Sequence, residues 1–354
     1  MRLAFCALLA CALLVEKPAG AEEQVALTLM ASGRADSTLA EALDLVDTLA
    51  DGNTLRILPV IGNGPVETLA DLLKLDGIDA AILPADALAF AEASRLLPGA
   101  SSRVSYLAKT GGADIHVLAR GSFKALADLT GKRVNLGAPS EARFISGNLI
   151  FNALGIAVTP VESGWMEAIK LLKSGAIDAV VLVEQKPSRM LGVLKASDGL
   201  HLLAIPPTDA FDDIYGPQVL SDADYPALIG KGEIVQTLSV SHVLAALNGK
   251  PGSPRFRQTQ RLAAALFDNT AELQSGKRMA QWNDINFAAD VPGWIRHAAA
   301  NRSISEAPQV VVSSNTQAEF RAFLADNPDA TGDEAALFAR FVEWQKTQAR
   351  EPEQ

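Results

Sequence analysis

Lys74–Pro84 reads KLDGIDAAILP, and much later Lys173–Val183 reads KSGAIDAVVLV. Each is a helix end, a glycine, an Ile-Asp pair and a short apolar run. The runs lack the apolar–polar alternation of a half-exposed strand, so both are read as strands buried on two faces. Two such units far apart in a chain of 354 residues predict two similar lobes and not a short-period array.

Working outward, strand-like and helix-like segments alternate. Val25–Ala31 reads as a strand, Leu39–Leu49 as a helix and Leu55–Ile61 as a strand. Val66, Leu69, Ala70 and Leu73 recur at helical spacing, with Gly77 expected just past the helix end. Asp79–Leu83 is a strand and Ala85–Ala93 a helix. Val104–Ala108 and Ile115–Arg120 are expected to cross between lobes. The pattern then restarts: strand Arg133–Leu136, helix Ala142–Leu154, strand Val158–Glu162, helix Trp165–Lys173, strand Ala179–Val183. Ile234–Leu247 is apolar, Arg255–Phe267 helical, and Val291–Ala300 closes the body. The expectation is an α/β protein with parallel sheets covered on both sides, in two lobes with a ligand cleft at the carboxyl ends of the strands.

Hydrophobic residues make up 49% of the chain, which excludes a disordered protein, and the net charge of −10 argues against a nucleic-acid partner. Arg2, the apolar Leu3–Val15 and the small residues Ala19-Gly20-Ala21 form a secretory signal pattern. Residues 1–21 are therefore expected to be a cleaved leader, with export to the periplasm. Cys6 and Cys11 are the only cysteines and fall inside it. Neither a disulfide nor a thiolate site is expected in the exported part.

Gly62-Asn63-Gly64 ends a strand and precedes Pro65, which suits a first helical position. Bare backbone amides at a helix start can seat a carboxylate, although Gly-Asn-Gly is equally a plain turn. Ser140 and Arg143 offer a second helix start, with a guanidinium able to make a bidentate carboxylate pair or an ordinary salt bridge. The loops at the strand ends make Ser32, Arg34, Gly62, Asn63, Asp86, Ser140, Arg143, Glu184 and Lys186 the candidate ligand contacts. His116, His201, His242 and His297 show no metal-ligand spacing. With no P-loop and no nucleophile–base pattern, no cofactor, metal or catalytic residue is expected.

LRILPVIGNGPVETLADLLKLDGIDAAILPADAL (Leu55–Leu88) and IHVLARGSFKALADLTGKRVNLGAPSE (Ile115–Glu141) resemble the TAXI group of extracytoplasmic solute-binding proteins of TRAP transporters. SGWMEAIKLLKSGAIDAVVLVEQKPS (Ser163–Ser188), YPALIGKGEIVQTLSVSHVLAAL (Tyr225–Leu247) and VPGWIR (Val291–Arg296) extend the likeness. The resemblance implies a two-lobed periplasmic binding protein-like (type II) fold that closes on a small, usually anionic solute, an amino acid or organic acid. It implies delivery to TRAP membrane subunits and no enzymatic activity. A sensory or interaction protein on the same scaffold is the alternative. The implied layout is lobe 1 over 22–118, lobe 2 over 119–233, a return to lobe 1 over 234–300 and a helical extension over 301–354. Two loops depart from the group's pattern: Ala31–Ser37 has one glycine and no aromatic, and Ala138–Arg143 reads APSEAR where Gly-Ser-Gly-Thr is usual. Both fall where ligand would sit. In the extension, Leu337, Phe338, Phe341, Val342 and Trp344 share one helical face, expected to dock on the body or to bind a partner.

Overall fold

The computed structural model describes residues 25–34, 37–51, 54–206, 208–284, 286–301 and 323. The expected leader, and the extension apart from its first residue, Asn301, and Phe323, lie outside the described residues. In chain order the elements are β1 (Val25–Ala31), α1 (Thr38–Leu49), β2 (Leu55–Ile61), α2 (Pro65–Lys74), β3 (Ala80–Pro84), α3 (Asp86–Ala93) and β4 (Val104–Arg120). There follow β5 (Arg133–Asn135), α4 (Ala142–Ala153), β6 (Thr159–Val161), α5 (Trp165–Ser174), β7 (Ala179–Glu184) and α6 (Arg189–Gly192). β8 (Leu200–Leu203), β9 (Gly216–Ser221), β10 (Ile234–Leu247), α7 (Pro254–Asp268) and α8 (Thr270–Leu273) complete the set.

The strands lie in the order β2-β1-β3-β10-β4-β7-β5-β6, with β8 beside β4 and β9 beside β10. β1 is parallel to β2 and β3, and β5 is parallel to β6 and β7. The expectation of parallel sheets holds only for these outer triplets. β10 runs antiparallel to β3, β4 and β9, and β4 antiparallel to β7 and β8. The sheet is therefore mixed, because β10 runs opposite to the triplet it borders through β3, and β4 opposite to the triplet it borders through β7.

The two quoted units occupy matching places. β3 pairs with β1 and β7 with β5, and the aspartate before each strand tethers it to that neighbour. Asp79 Oδ2 accepts the Thr28 amide of β1 at 2.8 Å, and Asp178 Oδ2 accepts the Arg133 amide of β5 at 3.0 Å. The glycines differ. Gly175 caps α5 in the left-handed region at φ 77°, whereas α2 ends on extended Leu75 and Gly77 sits in the following turn.

Each lobe has an apolar layer on either face of its sheet. In the first lobe, Leu45 of α1 and Leu262 of α7 pack on Leu27 and Leu29, while Leu69, Leu72 and Leu88 cover the opposite face with Leu83. In the second, Ile150 and Phe151 of α4 cover one face and Leu172 of α5 with Leu191 of α6 the other. A fully buried side chain of this kind stabilises the fold by roughly 1.5–3 kcal/mol. β4 is one continuous strand and not the expected pair. Leu107 and Ala108 belong to the first lobe's core, Ile115 and Val117 to the second's. Between them a Cβ on Gly111 would come 2.5 Å from Glu41 Oε1, and one on Gly112 2.8 Å from the Val240 carbonyl oxygen. Glycine is required there by close approach, beside the register shift at His242 and Val243. Among the described residues no helix is long and apolar enough to cross a membrane.

Candidate functional site

Between the lobes lies a cleft of about 690 Å³. The first lobe supplies Gly33, Arg34 and the segment from Ile61 to Pro65. The second supplies the segment from Ser140 to Arg143, with Gly164, Trp165, Glu184 and Met190. The N-termini of α2, α4 and α5 all reach this space, and none has a side-chain cap: their N-cap residues are Gly64, Glu141 and Gly164. The first-turn amides of an uncapped helix lack intrahelical partners and carry partial positive charge. Pro65, at the first position of α2, removes one donor that would be unpaired anyway. Chemically, the cleft can hold an anionic group without using a side chain.

Of the nine candidate contacts, six come together here: Arg34, Gly62, Asn63, Ser140, Arg143 and Glu184. Arg34 is exposed and has no hydrogen-bond or ion-pair partner among the described residues. Asn63 donates from Nδ2 to Glu67 Oε1 at 3.2 Å. Gly62 donates its amide to the Ala31 carbonyl at 2.9 Å, and a side chain on it would collide with Thr68 Oγ1. Gly64 has φ 129°, and a Cβ there would strike the Ser140 carbonyl oxygen, so the lobes touch at Gly64 and Ser140. Arg143 is buried at 8% exposure and its guanidinium is engaged within its own lobe. Nε donates to Glu141 Oε2 at 2.6 Å, one terminal nitrogen to Asn135 Oδ1 at 2.9 Å and the other to the Ser163 carbonyl at 3.1 Å. Glu184 Oε2 accepts the Ser188 hydroxyl at 2.5 Å.

The other three stand behind the cleft wall. Ser32 is fully buried. Its amide donates to Thr38 Oγ1 at 3.0 Å and its carbonyl accepts the Gly64 amide at 2.7 Å, so it ties two binding loops together. Lys186 donates from its amide to Asp114 at 2.9 Å and from Nζ to the Val219 carbonyl at 2.8 Å. Asp86 is fully buried on α3, facing α4 of the other lobe. Its Oδ2 accepts the Ser146 hydroxyl at 2.6 Å and the Tyr215 hydroxyl at 3.0 Å, while Oδ1 has no partner among the described residues. Burial pushes its carboxyl up to about 6 against the lowering effect of those hydroxyls and of nearby His242. Phe90 and Phe144 meet edge to face at 6.2 Å across the same α3–α4 contact.

A second buried group sits at the crossover. Glu41 Oε1 lies 2.7 Å from His242 Nδ1, and Oε2 accepts the Thr110 hydroxyl at 2.9 Å. All three residues are buried, which fixes α1 against both crossing strands. His116 is held neutral, its pKa pushed down to about 4 by burial, with Nε2 2.8 Å from the Tyr225 hydroxyl. Among the described residues no three His, Cys, Asp or Glu side chains converge as a metal site. Glu141, Trp165 and Met190 line the cleft without being among the candidate contacts. Glu141 lies in the atypical APSEAR loop, which is its one sequence signal.

Known proteins resemble this chain at low identity. Among solved structures, one described as a periplasmic transporter is 17% identical, with 79% of this chain and 93% of that chain covered, at a TM-score of 0.48. The periplasmic binding protein BugD is 14% identical over 79% and 93% of the two chains, at 0.46. A TctC solute binding protein from Polaromonas is 14% identical over 79% and 96%, at 0.47. The model of the NMT1-like family matches residues 102–307, more than half of the sequence and all of the second lobe. The chain belongs to the NMT1-like family.

Proposed function

We propose that the protein is a periplasmic solute receptor, a carrier and not an enzyme. It captures a small carboxylate-bearing solute, an amino acid or organic acid, between its lobes and delivers it to the membrane subunits of a TRAP-type transporter. One observation carries this reading: three helix N-termini without side-chain caps, from both lobes, border a single cleft. A carboxylate there would accept from first-turn amides of both lobes and bridge them, shifting the protein toward closure. Lobe 1 comprises 22–118 and 234–300 and lobe 2 comprises 119–233, with β4 and β10 shared. Arg34, Asn63, Ser140, Arg143 and Glu184 contact the solute, with Gly62 allowing the loop's close packing. Ser32, Asp86 and Lys186 hold the walls. The TRAP partner and the TAXI assignment rest on the sequence likeness alone.

A thermal-shift screen of the purified protein against amino acids and organic acids tests the reading, because a solute that binds only the folded state raises the melting temperature with its saturation. A dose-dependent rise that titration calorimetry reproduces is the expected result. Absence of any rise across the panel would count against a solute receptor.

A further inference from the structure

The cleft wall carries two cations, Arg34 and Arg143, and two anions, Glu141 and Glu184. Arg143 is already matched. Glu141 Oε2 sits 2.6 Å from its Nε, Asn135 and Ser163 hold the two terminal nitrogens, and Glu141 Oε1 accepts the Ala138 amide at 3.2 Å. The loop backbone passes so close that a Cβ on Gly137 would come 2.8 Å from both Arg143 Cζ and Glu141 Oε2. Glu141 is also the N-cap of α4, the place where an incoming carboxylate would meet that helix's amides. The chain thus sets its own carboxylate beside the second lobe's guanidinium.

We propose that Glu141 is a specificity-determining residue: by engaging Arg143 it restricts the cleft to solutes with one carboxylate and excludes dicarboxylates. The proposal rests on the cleft being the solute site. A dicarboxylate entering it meets the anions Glu141 and Glu184 and one cation without a partner among the described residues, Arg34. A solute with one carboxylate can set it beside Arg34 and turn a neutral donor toward Glu184, whose Oε1 has no partner among the described residues. Like charges brought together in a partly desolvated site repel strongly, so the effect falls on the choice between solutes more than on affinity in general.

The test is titration calorimetry of the wild-type protein and Glu141→Gln with pairs differing by one carboxylate: succinamate and succinate, glutamine and glutamate. The ratio of the two dissociation constants is the readout, because a purely structural role for Glu141 would weaken both members alike. The wild type is expected to favour the monocarboxylate of a pair, and Glu141→Gln to move the ratio at least about tenfold toward the dicarboxylate, equivalent to ~1.4 kcal/mol. Glu141→Ala, which also frees Arg143, should move it the same way and covers the case in which the glutamine variant does not fold. An unchanged ratio, or a wild type that already favours the dicarboxylate, overturns the proposal. So does binding of other solutes by the wild type when neither member of any pair binds wild type or variant; that result leaves the receptor reading standing. Failure of every solute in the wider screen with the wild type removes both.

Discussion

Replacing Asp86 by asparagine should raise stability relative to the wild type progressively as pH rises from about 4 to about 6. The Asp86 carboxyl is fully buried between α3 and α4, faced by Ser146, Tyr215 and nearby His242, and titrates near 6 where an ordinary aspartate titrates near 3.8. The native state therefore holds this proton more tightly than the unfolded chain does. The resulting stabilisation is fully present below about pH 3.8 and is lost as pH rises through about 6. At 1.36 kcal/mol per pH unit the loss comes to about 3 kcal/mol. The Asp86→Asn side chain would not titrate and still offers an acceptor to the two hydroxyls; the fate of its amide hydrogens adds an offset that does not vary with pH. Denaturant unfolding of both proteins across about pH 4 to about pH 8 should show the variant gaining on the wild type by ~1.4 kcal/mol per unit up to about pH 6, then a plateau. A difference constant across that range would refute the burial argument, whatever its sign.

Close approaches and tethers lead to further expectations. Gly64→Ala places a methyl against the Ser140 carbonyl at a backbone φ of 129°, so the variant should stay folded but lose at least about tenfold in solute affinity, ~1.4 kcal/mol by calorimetry. Asp79→Ala and Asp178→Ala each strand a strand amide and should cost about 1–3 kcal/mol in denaturant unfolding. Asp178→Ala should cost the more, since it also loses the 2.5 Å ion pair with Arg120. Trp165 borders the cleft while Trp282 is fully buried in the core of the first lobe. A fluorescence change on adding a bound solute should therefore persist in Trp282→Phe and shrink in Trp165→Phe.

What can be read from sequence follows from burial. β3 and β7 are apolar on both faces and stand in one context only, between helices, so KLDGIDAAILP and KSGAIDAVVLV reveal two related units. Their aspartates make the same tether in both. β4 reads as two pieces, with Gly111-Gly112 between them. The glycines are there because Glu41 and the β10 backbone approach too closely for a side chain, which local patterning cannot show. β8 and β9 escape such a reading: LHLL and GPQVLS are short and mixed, and only their long-range partners β4 and β10 make them strands. Asp86 illustrates the limit at the site. A carboxylate at a helix start reads the same whether it faces a cleft or a neighbouring helix, and its two partners lie 60 and 129 residues away. Arg143 is legible as a guanidinium at a helix start, but its engagement by Asn135, Glu141 and Ser163 needs three segments brought together.

If the lobes close on a solute, the distance between them must shorten, and that distance tests the account most directly. Cys6 and Cys11 are the only native cysteines, so after their replacement dyes can be placed at Leu75→Cys in the first lobe and Val193→Cys in the second, where the native side chains are 49% and 72% exposed. Single-molecule energy transfer between them, recorded while a solute from the screen is titrated in, should show a population at shorter distance that grows with saturation and is lost in Gly64→Ala. A distance that stays the same from empty to saturated protein would contradict closure as the mechanism.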